Sequence, residues 1–409
     1  MKRAYQPLLR EYLATFPCVA LLGVRQCGKT TLLQTLPRGW THFDLERGAD
    51  QSVIARDPDT FLRLNPRRVT LDEAQRLPEL FPALRVAIDD HRAEKGRFVI
   101  TGSSSPALSR AISESLAGRV GIIELAPLAW QEVTATTRRD GFLARLLERK
   151  AKPADLVDGL RPRGTDAELR DFWFRGGFPE PWLHHGEKFR HQWVEQYIQT
   201  YLLRDVKRLF PGLNETRFRR FLELLGGLSG RILNYADVAR ALDVSQPTAR
   251  DYFEIAHGTY VWRTIPAWSK NVLKRVVRHP RGYLRDTGLL HALLRIPDRD
   301  ALLSHPQFGA SWEAMVVEEV IRQLNASGTG FEYSFYRTSG GAEVDLVLEG
   351  GFGRVAVEIK HTSAVHARDL RGLRDFVTEQ KARLGVVINN DTRPRLYDDK
   401  LIGLPMSHL

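Results

Sequence analysis

Over roughly its first third the chain alternates short apolar runs with polar or helix-forming stretches, the runs falling at 18–23, 42–46, 68–72, 97–102 and 120–125. Strands this short, evenly spaced and apolar throughout predict right-handed crossovers and a parallel sheet covered on both faces. Near residue 134 the pattern breaks into a charged stretch punctuated by Pro and Gly, and it then reads mostly helical to about 228. A third segment has short helices followed by the aromatic and β-branched stretch "TYVWRTIPAW". After the connector "RIPDRDALLSHPQFG" come a helix at 312–324 and strands near 332–336, 343–348, 355–359 and 384–388. The expected boundaries are therefore 1–135, 136–214, 215–294 and 305–409, with no internal repeat or low-complexity tract.

Composition narrows the class. The 409 residues are 43% hydrophobic and 27% charged, a globular balance, and no segment approaches the ~18 uninterrupted apolar residues of a membrane helix. Arg10 and Glu11 break any apolar core of an export signal, and two cysteines, Cys18 and Cys27, are too few for a disulfide framework, so a cytoplasmic protein without a membrane partner is expected. Sixty Lys and Arg against 49 Asp and Glu leave +11, a field that favours a polyanion partner.

The first apolar run ends in "GVRQCGKTT", which satisfies G-x-x-x-x-G-K-[ST] between a strand and a helix, the context its mechanism needs. Gly23 and Gly28 let backbone N–H groups wrap phosphates, with Gln26 and Thr31 in the same loop. Lys29 reaches the terminal phosphate oxygens, and Thr30 ligates magnesium. The strand "RRVTLDEAQ" ends in Asp72, which would hold the metal shell, and Glu73, which would orient or deprotonate an attacking water. "RFVITGSS" delivers Thr101, Ser103 and Ser104 to the same sheet edge, Ser103 being the expected contact to that water. Arg119, just before the fifth strand, is placed to reach a neighbouring subunit's γ-phosphate.

These stretches, together with "SLAGR", "ELAPL", "FRGGFPE", "YLLRDV", "YLRDTGLL", "GAEVDLVLE" and "VEIK", resemble AAA+ family ATPases of the bacterial and archaeal type, in which the ATPase module precedes an uncharacterised C-terminal region. The resemblance covers nearly the whole chain. It implies ATP and Mg²⁺ as cofactors, an arginine finger acting in trans and homo-oligomers, a hexameric ring among them. It also implies a helical lid in which Arg175 contacts nucleotide.

"YADVARALDVSQPTARDYFEIA" reads as helix, three-residue turn, helix, with Val238, Ala239, Leu242, Ala249, Phe253 and Ala256 inward, and the strand pair after it resembles the wing of a winged helix. Gln246, Arg250 and Glu254 face outward, a mixed set unsuited to reading bases. In "KNVLKRVVRHPRGYLR" the cations Lys270, Lys274, Arg275, Arg278, Arg281 and Arg285 occur without a carboxylate, which suits sequence-independent contacts to DNA phosphates.

In the last segment Glu313 on a helix, Asp345 on a strand and Glu358-Ile-Lys360 on the next resemble the PD-(D/E)xK nuclease fold. Glu313, Asp345 and Glu358 would bind Mg²⁺ and Lys360 would position a water. Val344 replaces the signature proline, and Glu343 is a competing carboxylate.

The expected fold is thus α/β: a parallel-sheet ATPase domain with a helical lid, then a winged helix and a nuclease-like α/β domain. The expected function is ATP-driven remodelling of, or movement along, duplex or branched DNA. A nucleotide-gated switch acting on a protein partner, with an inert C-terminal site, is the alternative, and a nuclease licensed by the ATPase is a third.

Overall fold

The computed structural model describes residues 1–409 except 104–105, 137–140, 185, 211, 270–278 and 339–340; for 103, 106, 107, 109, 208 and 209 it describes the backbone alone. The chain divides into two compact units, residues 3–128 with 258–260, and residues 1–2, 129–257 and 261–409.

The first unit is built on five strands, β1 (Cys18–Gly23), β2 (Thr41–Asp44), β3 (Val69–Asp72), β4 (Phe98–Ser103) and β5 (Val120–Glu124), in the order β2-β3-β4-β1-β5. Every neighbouring pair is parallel. All five predicted strands are present within a residue or two of their expected ends. β1 and β3 are buried along their whole length, as expected of strands with a layer on each face. Cys18, Ala20 and Leu22 from β1, Leu71 from β3 and Ile100 from β4 enter one apolar cluster, to which the helix Leu80–Asp89 adds Leu80, Phe81, Leu84 and Ile88. The register sets Gly23 beside Ser103 and Asp44 beside Asp72, so the carboxyl ends of the central strands finish at one edge.

The second unit holds the three segments expected as separate domains. One apolar cluster runs from Trp130 and Phe142 through Phe172 and Trp173 to Trp312, Leu346, Met406 and Leu409, so the residues expected as lid share a core with the C-terminal sheet. The helices Tyr235–Leu242 and Gln246–Gly258 are present, separated by the expected three residues. The turn between them opens with Asp243 in the left-handed region (φ 52°), and Ser245 Oγ accepts the Thr248 N–H at 3.2 Å, capping the second helix. Strands β6 (Trp262–Ile265) and β7 (Arg281–Leu284) pair antiparallel.

The C-terminal sheet has six strands: β8 (Phe331–Arg337), β9 (Glu343–Gly350), β10 (Gly353–Ile359), β11 (Leu384–Asn389), β12 (Arg395–Leu396) and β13 (Leu401–Pro405), in the order β12-β13-β11-β10-β9-β8. β8, β9 and β10 run antiparallel, whereas β10, β11 and β13 are parallel. The 19-residue helix Phe308–Ala326 buries Trp312, Val316, Val317, Val320 and Ile321 in the shared core. No helix among the described residues is long and apolar enough to cross a membrane. Cys18 and Cys27 are buried free thiols.

Candidate nucleotide site and a buried arginine cluster

At the end of β1 the chain turns through Gln26 (φ 62°) and Gly28 (φ 96°) into the helix Lys29–Leu33. Gly23 admits no side chain: a Cβ there would lie 2.2 Å from the Leu125 carbonyl oxygen. The loop is tied down from behind. Arg3 Nη1 donates to the Cys27 carbonyl at 2.5 Å and Nη2 to the Ala126 carbonyl at 2.6 Å, while Cys27 Sγ–H donates to the Leu125 carbonyl at 3.3 Å.

Lys29 is 5% exposed, and its ammonium donates to the carbonyls of Gly23 and Val24, each at 3.2 Å. Thr30 Oγ1 donates to Asp72 Oδ2 at 2.7 Å, and Thr101 Oγ1 donates to Asp72 Oδ1. The Glu73 N–H in turn donates to Thr101 Oγ1 at 3.2 Å. Glu73 adopts φ 56°, and its carboxylate accepts from the Gln75 amide. A lysine lying against the inner rim of a glycine-turned loop, with a hydroxyl-carboxylate pair beside it, is a donor set that fits a nucleotide triphosphate and its Mg²⁺.

The remaining expected contacts are placed as follows. Ser103 lies opposite Gly23 by backbone register, and its side chain is outside the described residues. Thr101, passed over in favour of Ser103, is the second hydroxyl on Asp72, beside Thr30. Gln26 and Thr31 are exposed at the loop. Arg119 makes a two-pronged pair with Asp89, Nε to Oδ1 and Nη2 to Oδ2 both at 2.7 Å, which holds the Asp89 carboxyl below its ordinary pKa. Arg175 pairs with Asp171 and Glu187 at 2.9 Å each and lies over the Trp182 ring, all within the second unit.

The basic stretch is where expectation and structure part. Lys270, Lys274, Arg275 and Arg278 lie outside the described residues. Arg281 and Arg285, expected at DNA phosphates, are 4% and 6% exposed and face carboxylates instead. Arg281 Nη1 reaches Glu313 Oε1 at 2.9 Å and Asp345 Oδ1 at 3.2 Å, and its Nη2 pairs with Glu343. Arg285 Nε lies 3.4 Å from Glu318, which also pairs with Arg263. The physical reason is strand alternation. β7 is buried along its whole length, so the side chains on either face go inside and a cation there needs a buried partner.

The same arrangement corrects the expected nuclease metal. Glu313, Asp345 and Glu358 were expected to chelate one ion. Among the described residues no three His, Cys, Asp or Glu stand together as ligands of a metal. Arg281 lies between Glu313 and Asp345 and supplies the positive charge itself. The second oxygen of Asp345 accepts the Ile359 N–H at 2.9 Å, and Tyr283 O–H donates to Glu313. Lys360 Nζ is 2.8 Å from Glu358. Burial, then the nearby Asp345 charge, pushes Glu313 up to about 7 and Glu358 up to about 8. Arg281 is held above its ordinary value: burial opposes its charge, but Tyr283, Glu313 and Asp345 outweigh burial.

Sequence reasoning missed Arg3, which carries no local signal because its partners lie 24 and 123 residues away. It also missed the structural role of Arg281 and Tyr283, although their i, i+2 spacing in "RGYL" was a legible sign that both point to one face of a strand.

Comparison with known proteins gives this geometry a context. Residues 15–134 match the family described as "AAA domain", residues 166–300 the domain of unknown function DUF8612, and residues 308–409 the domain of unknown function DUF4143. The uncharacterized proteins Rv2008c of Mycobacterium tuberculosis and Mb2031c of Mycobacterium bovis are each 35% identical over 404 residues, covering 98% of this chain and 82% of theirs. Among solved structures, the Walker-type ATPase PABY2304 of Pyrococcus abyssi aligns over 72% of this chain and 95% of its own, at 15% identity and a TM-score of 0.46. With relatives that match it almost end to end, the chain belongs to the family that includes these two mycobacterial proteins, and it carries an AAA domain, with a phosphate loop and a Thr30–Asp72 pair, followed by a DUF4143 region.

Proposed function

We propose that this chain hydrolyses ATP as a cytoplasmic homo-oligomer and uses the turnover to engage and remodel duplex or branched DNA without reading its sequence. The observation that carries the hydrolytic half is the hydrogen-bonded chain Thr30–Asp72–Thr101–Glu73 beside the buried Lys29. Lys29 would exchange the two loop carbonyls for phosphate oxygens. Thr30 and Asp72 would hold Mg²⁺, which neutralises charge on the β and γ oxygens when bound. Glu73, steadied by Gln75, would accept the proton of the attacking water. Arg119 would act on a neighbour's nucleotide by leaving Asp89. The DNA half rests on the +11 net charge and on Lys270, Lys274, Arg275 and Arg278. It is tested by ATPase rates with linear, branched and single-stranded DNA. Stimulation that is lost in Glu73→Gln supports the motor.

A second reading, an ATP-gated switch that acts on a protein partner through an inert C-terminal domain, is favoured by one specific observation: Arg281 sits among the carboxylates that a nuclease would use for its metal. An ATPase rate indifferent to every DNA form, with no magnesium- or manganese-dependent cutting, selects this reading.

A further inference from the structure

Of the residues between Gly23 and Gly28, Val24 and Cys27 are buried and pack the loop onto the sheet, whereas Arg25 is half-exposed and Gln26 exposed. Backbone N–H groups suffice to wrap a phosphate, so the wrapping itself does not call for the cation at Arg25. Its guanidinium leans toward the segment after β2, where Arg25 Nη2 lies 4.0 Å from Glu46 Oε1. Arg76 Nη2 reaches the same oxygen at 3.1 Å, so two arginines share one carboxylate. Glu46 is fixed beside the strand that carries Asp72. The Leu45 N–H donates to the Asp72 carbonyl at 3.1 Å, the Glu46 N–H donates to Asp44 Oδ1 at 2.9 Å, and Asp44 stands opposite Asp72 in the β2–β3 register. Arg76 closes the short turn Ala74–Arg76 that follows Glu73, and its N–H donates to the Glu73 carbonyl at 3.0 Å. The three side chains thus gather at the strand edge that ends in Asp72 and Glu73, and Arg25 enters from the loop that leads to Lys29.

The two pairs on Glu46 are unequal. Arg25–Glu46 stands at the outer limit of ion-pair distance, with side chains 39% and 40% exposed, and pairs of that kind hold weakly. An arginine on phosphate makes two parallel charge-assisted hydrogen bonds, a stronger contact. Glu46 keeps a counter-charge when Arg25 leaves, because Arg76 is the closer of its two arginines. Lys29 donates to the carbonyls of Gly23 and Val24, so its ammonium lies beside the peptide that leads into Arg25. A terminal phosphate drawn to Lys29 therefore arrives at the foot of the Arg25 side chain.

We propose that Arg25 is a catalytic residue of ATP hydrolysis that acts on the nucleotide of its own loop, with Glu46 and Arg76 as positioning residues that hold it aside until a terminal phosphate arrives. This role rests on the hydrolysis proposed above. As the water oxygen bonds to the γ phosphorus, the bond from phosphorus to the β–γ bridging oxygen breaks, its electron pair leaves on ADP, and the water's proton passes to Glu73. Charge gathers on the phosphate oxygens, and the Arg25 guanidinium moves off Glu46 to meet it. Basal turnover then does not wait on a neighbouring subunit's Arg119.

The test measures ATP turnover by the full chain alongside calorimetric binding of the β,γ-imido analogue of ATP, which also reports that each variant is folded. Arg25→Ala is expected to bind the analogue nearly as the native protein does and to lose kcat by roughly 10³-fold, the lower end of what a transition-state arginine supplies. Arg25→Lys keeps the charge but not the planar fork and should stay slow. Free guanidinium ion should restore part of the rate to Arg25→Ala and none to Glu73→Gln. Mixing Arg25→Ala with Lys29→Ala chains should recover no activity, because the arginine serves its own loop. Arg76→Ala leaves Arg25 as the counter-charge of Glu46, so it should raise KM without rescue by guanidinium. A native ATPase whose Arg25→Ala variant keeps its kcat overturns this role and leaves the hydrolytic reading standing. Activity regained on mixing, or guanidinium rescue of Arg76→Ala in place of Arg25→Ala, overturns it as well. Native protein that hydrolyses no ATP, with or without DNA, brings down the hydrolytic reading itself and this role with it.

Discussion

Arg281→Met removes a guanidinium that faces three carboxylates while keeping most of the side chain's apolar bulk. In the native fold Arg281 is paired with Glu313, Glu343 and Asp345, and Glu313 also accepts from Tyr283. Breaking a buried pair by deleting one partner typically costs about 3–5 kcal/mol, because the surviving charge stays out of water. For a unit of this size each kcal/mol moves Tm by roughly 2–4 °C, so a fall on the order of 10 °C is expected. The loss should depend on pH, and the sign follows from Glu313. Its folded pKa, about 7, is above its ordinary 4.5, so the folded state holds a proton that the unfolded chain releases between those values. Deleting Arg281 removes an influence that lowers Glu313 and raises it further. Below about pH 4 the carboxyl is protonated in both states and the variant's deficit is small. As pH rises through the folded pKa, the carboxyl must ionise unpaired and the deficit grows. Differential scanning fluorimetry of native and variant protein at about pH 6 and about pH 8 measures this, with the larger difference in Tm at the higher pH. Equal Tm values at both would show that Arg281 is not the counter-charge of this cluster. A native Tm raised by Mg²⁺ only when Asp345 and Glu358 are intact would show a metal displacing it.

The other expected outcomes concern the nucleotide site. Glu73→Gln should leave ATP binding intact and lower turnover by about 10²–10⁴-fold, the usual contribution of a positioned base; equal losses of binding and turnover in single-turnover assays would assign Glu73 to binding. Arg3→Ala removes two charge-assisted bonds that pin Cys27 and Ala126, each worth about 1.5–3 kcal/mol, and should raise KM for ATP more than it lowers kcat. An unchanged KM would mean the loop holds its shape without Arg3. Reversing Lys274, Arg275 and Arg278 to Glu should weaken DNA binding and flatten its salt dependence, read by fluorescence anisotropy at several salt concentrations. Binding that does not change would take this basic stretch out of the mechanism.

The first unit was legible because its signals are local. An apolar strand, a glycine turn and G-K-T are contiguous in sequence, and the carboxylate strand announces itself by "VTLDE". Parallel pairing then forces Asp72 to the edge where β1 ends, so the site's address followed from the spacing alone. In the C-terminal sheet four strands were readable, but the two-residue β12 and the longer β13 were not. "LIGLP" is buried on both sides and contains Gly and Pro, so it shows neither alternation nor β-propensity. The basic stretch misled for the opposite reason. Counting cations treats each as solvated, whereas Arg281 finds its counter-charges 32 and 64 residues further on, a pairing no window around position 281 contains.

That pairing also bears on what the E-x-K signature leaves open. Alternation places Glu358 and Lys360 on one face of β10, and the antiparallel register brings Asp345 beside them, just as the motif requires. The motif specifies which carboxylates meet and says nothing about what neutralises them. Divalent ions and guanidinium groups answer the same electrostatic demand, and only a residue from outside the motif decides between them. Here β7 inserts Arg281 at that point, with Tyr283 two positions along the same face to complete the hydrogen bonding of Glu313. A relative with an apolar residue at the Arg281 position and the same three carboxylates would be expected to need a metal ion to fold stably. Metal-dependent stability in such a relative, with none measured for this chain under the same conditions, would trace the difference in chemistry to a single strand residue.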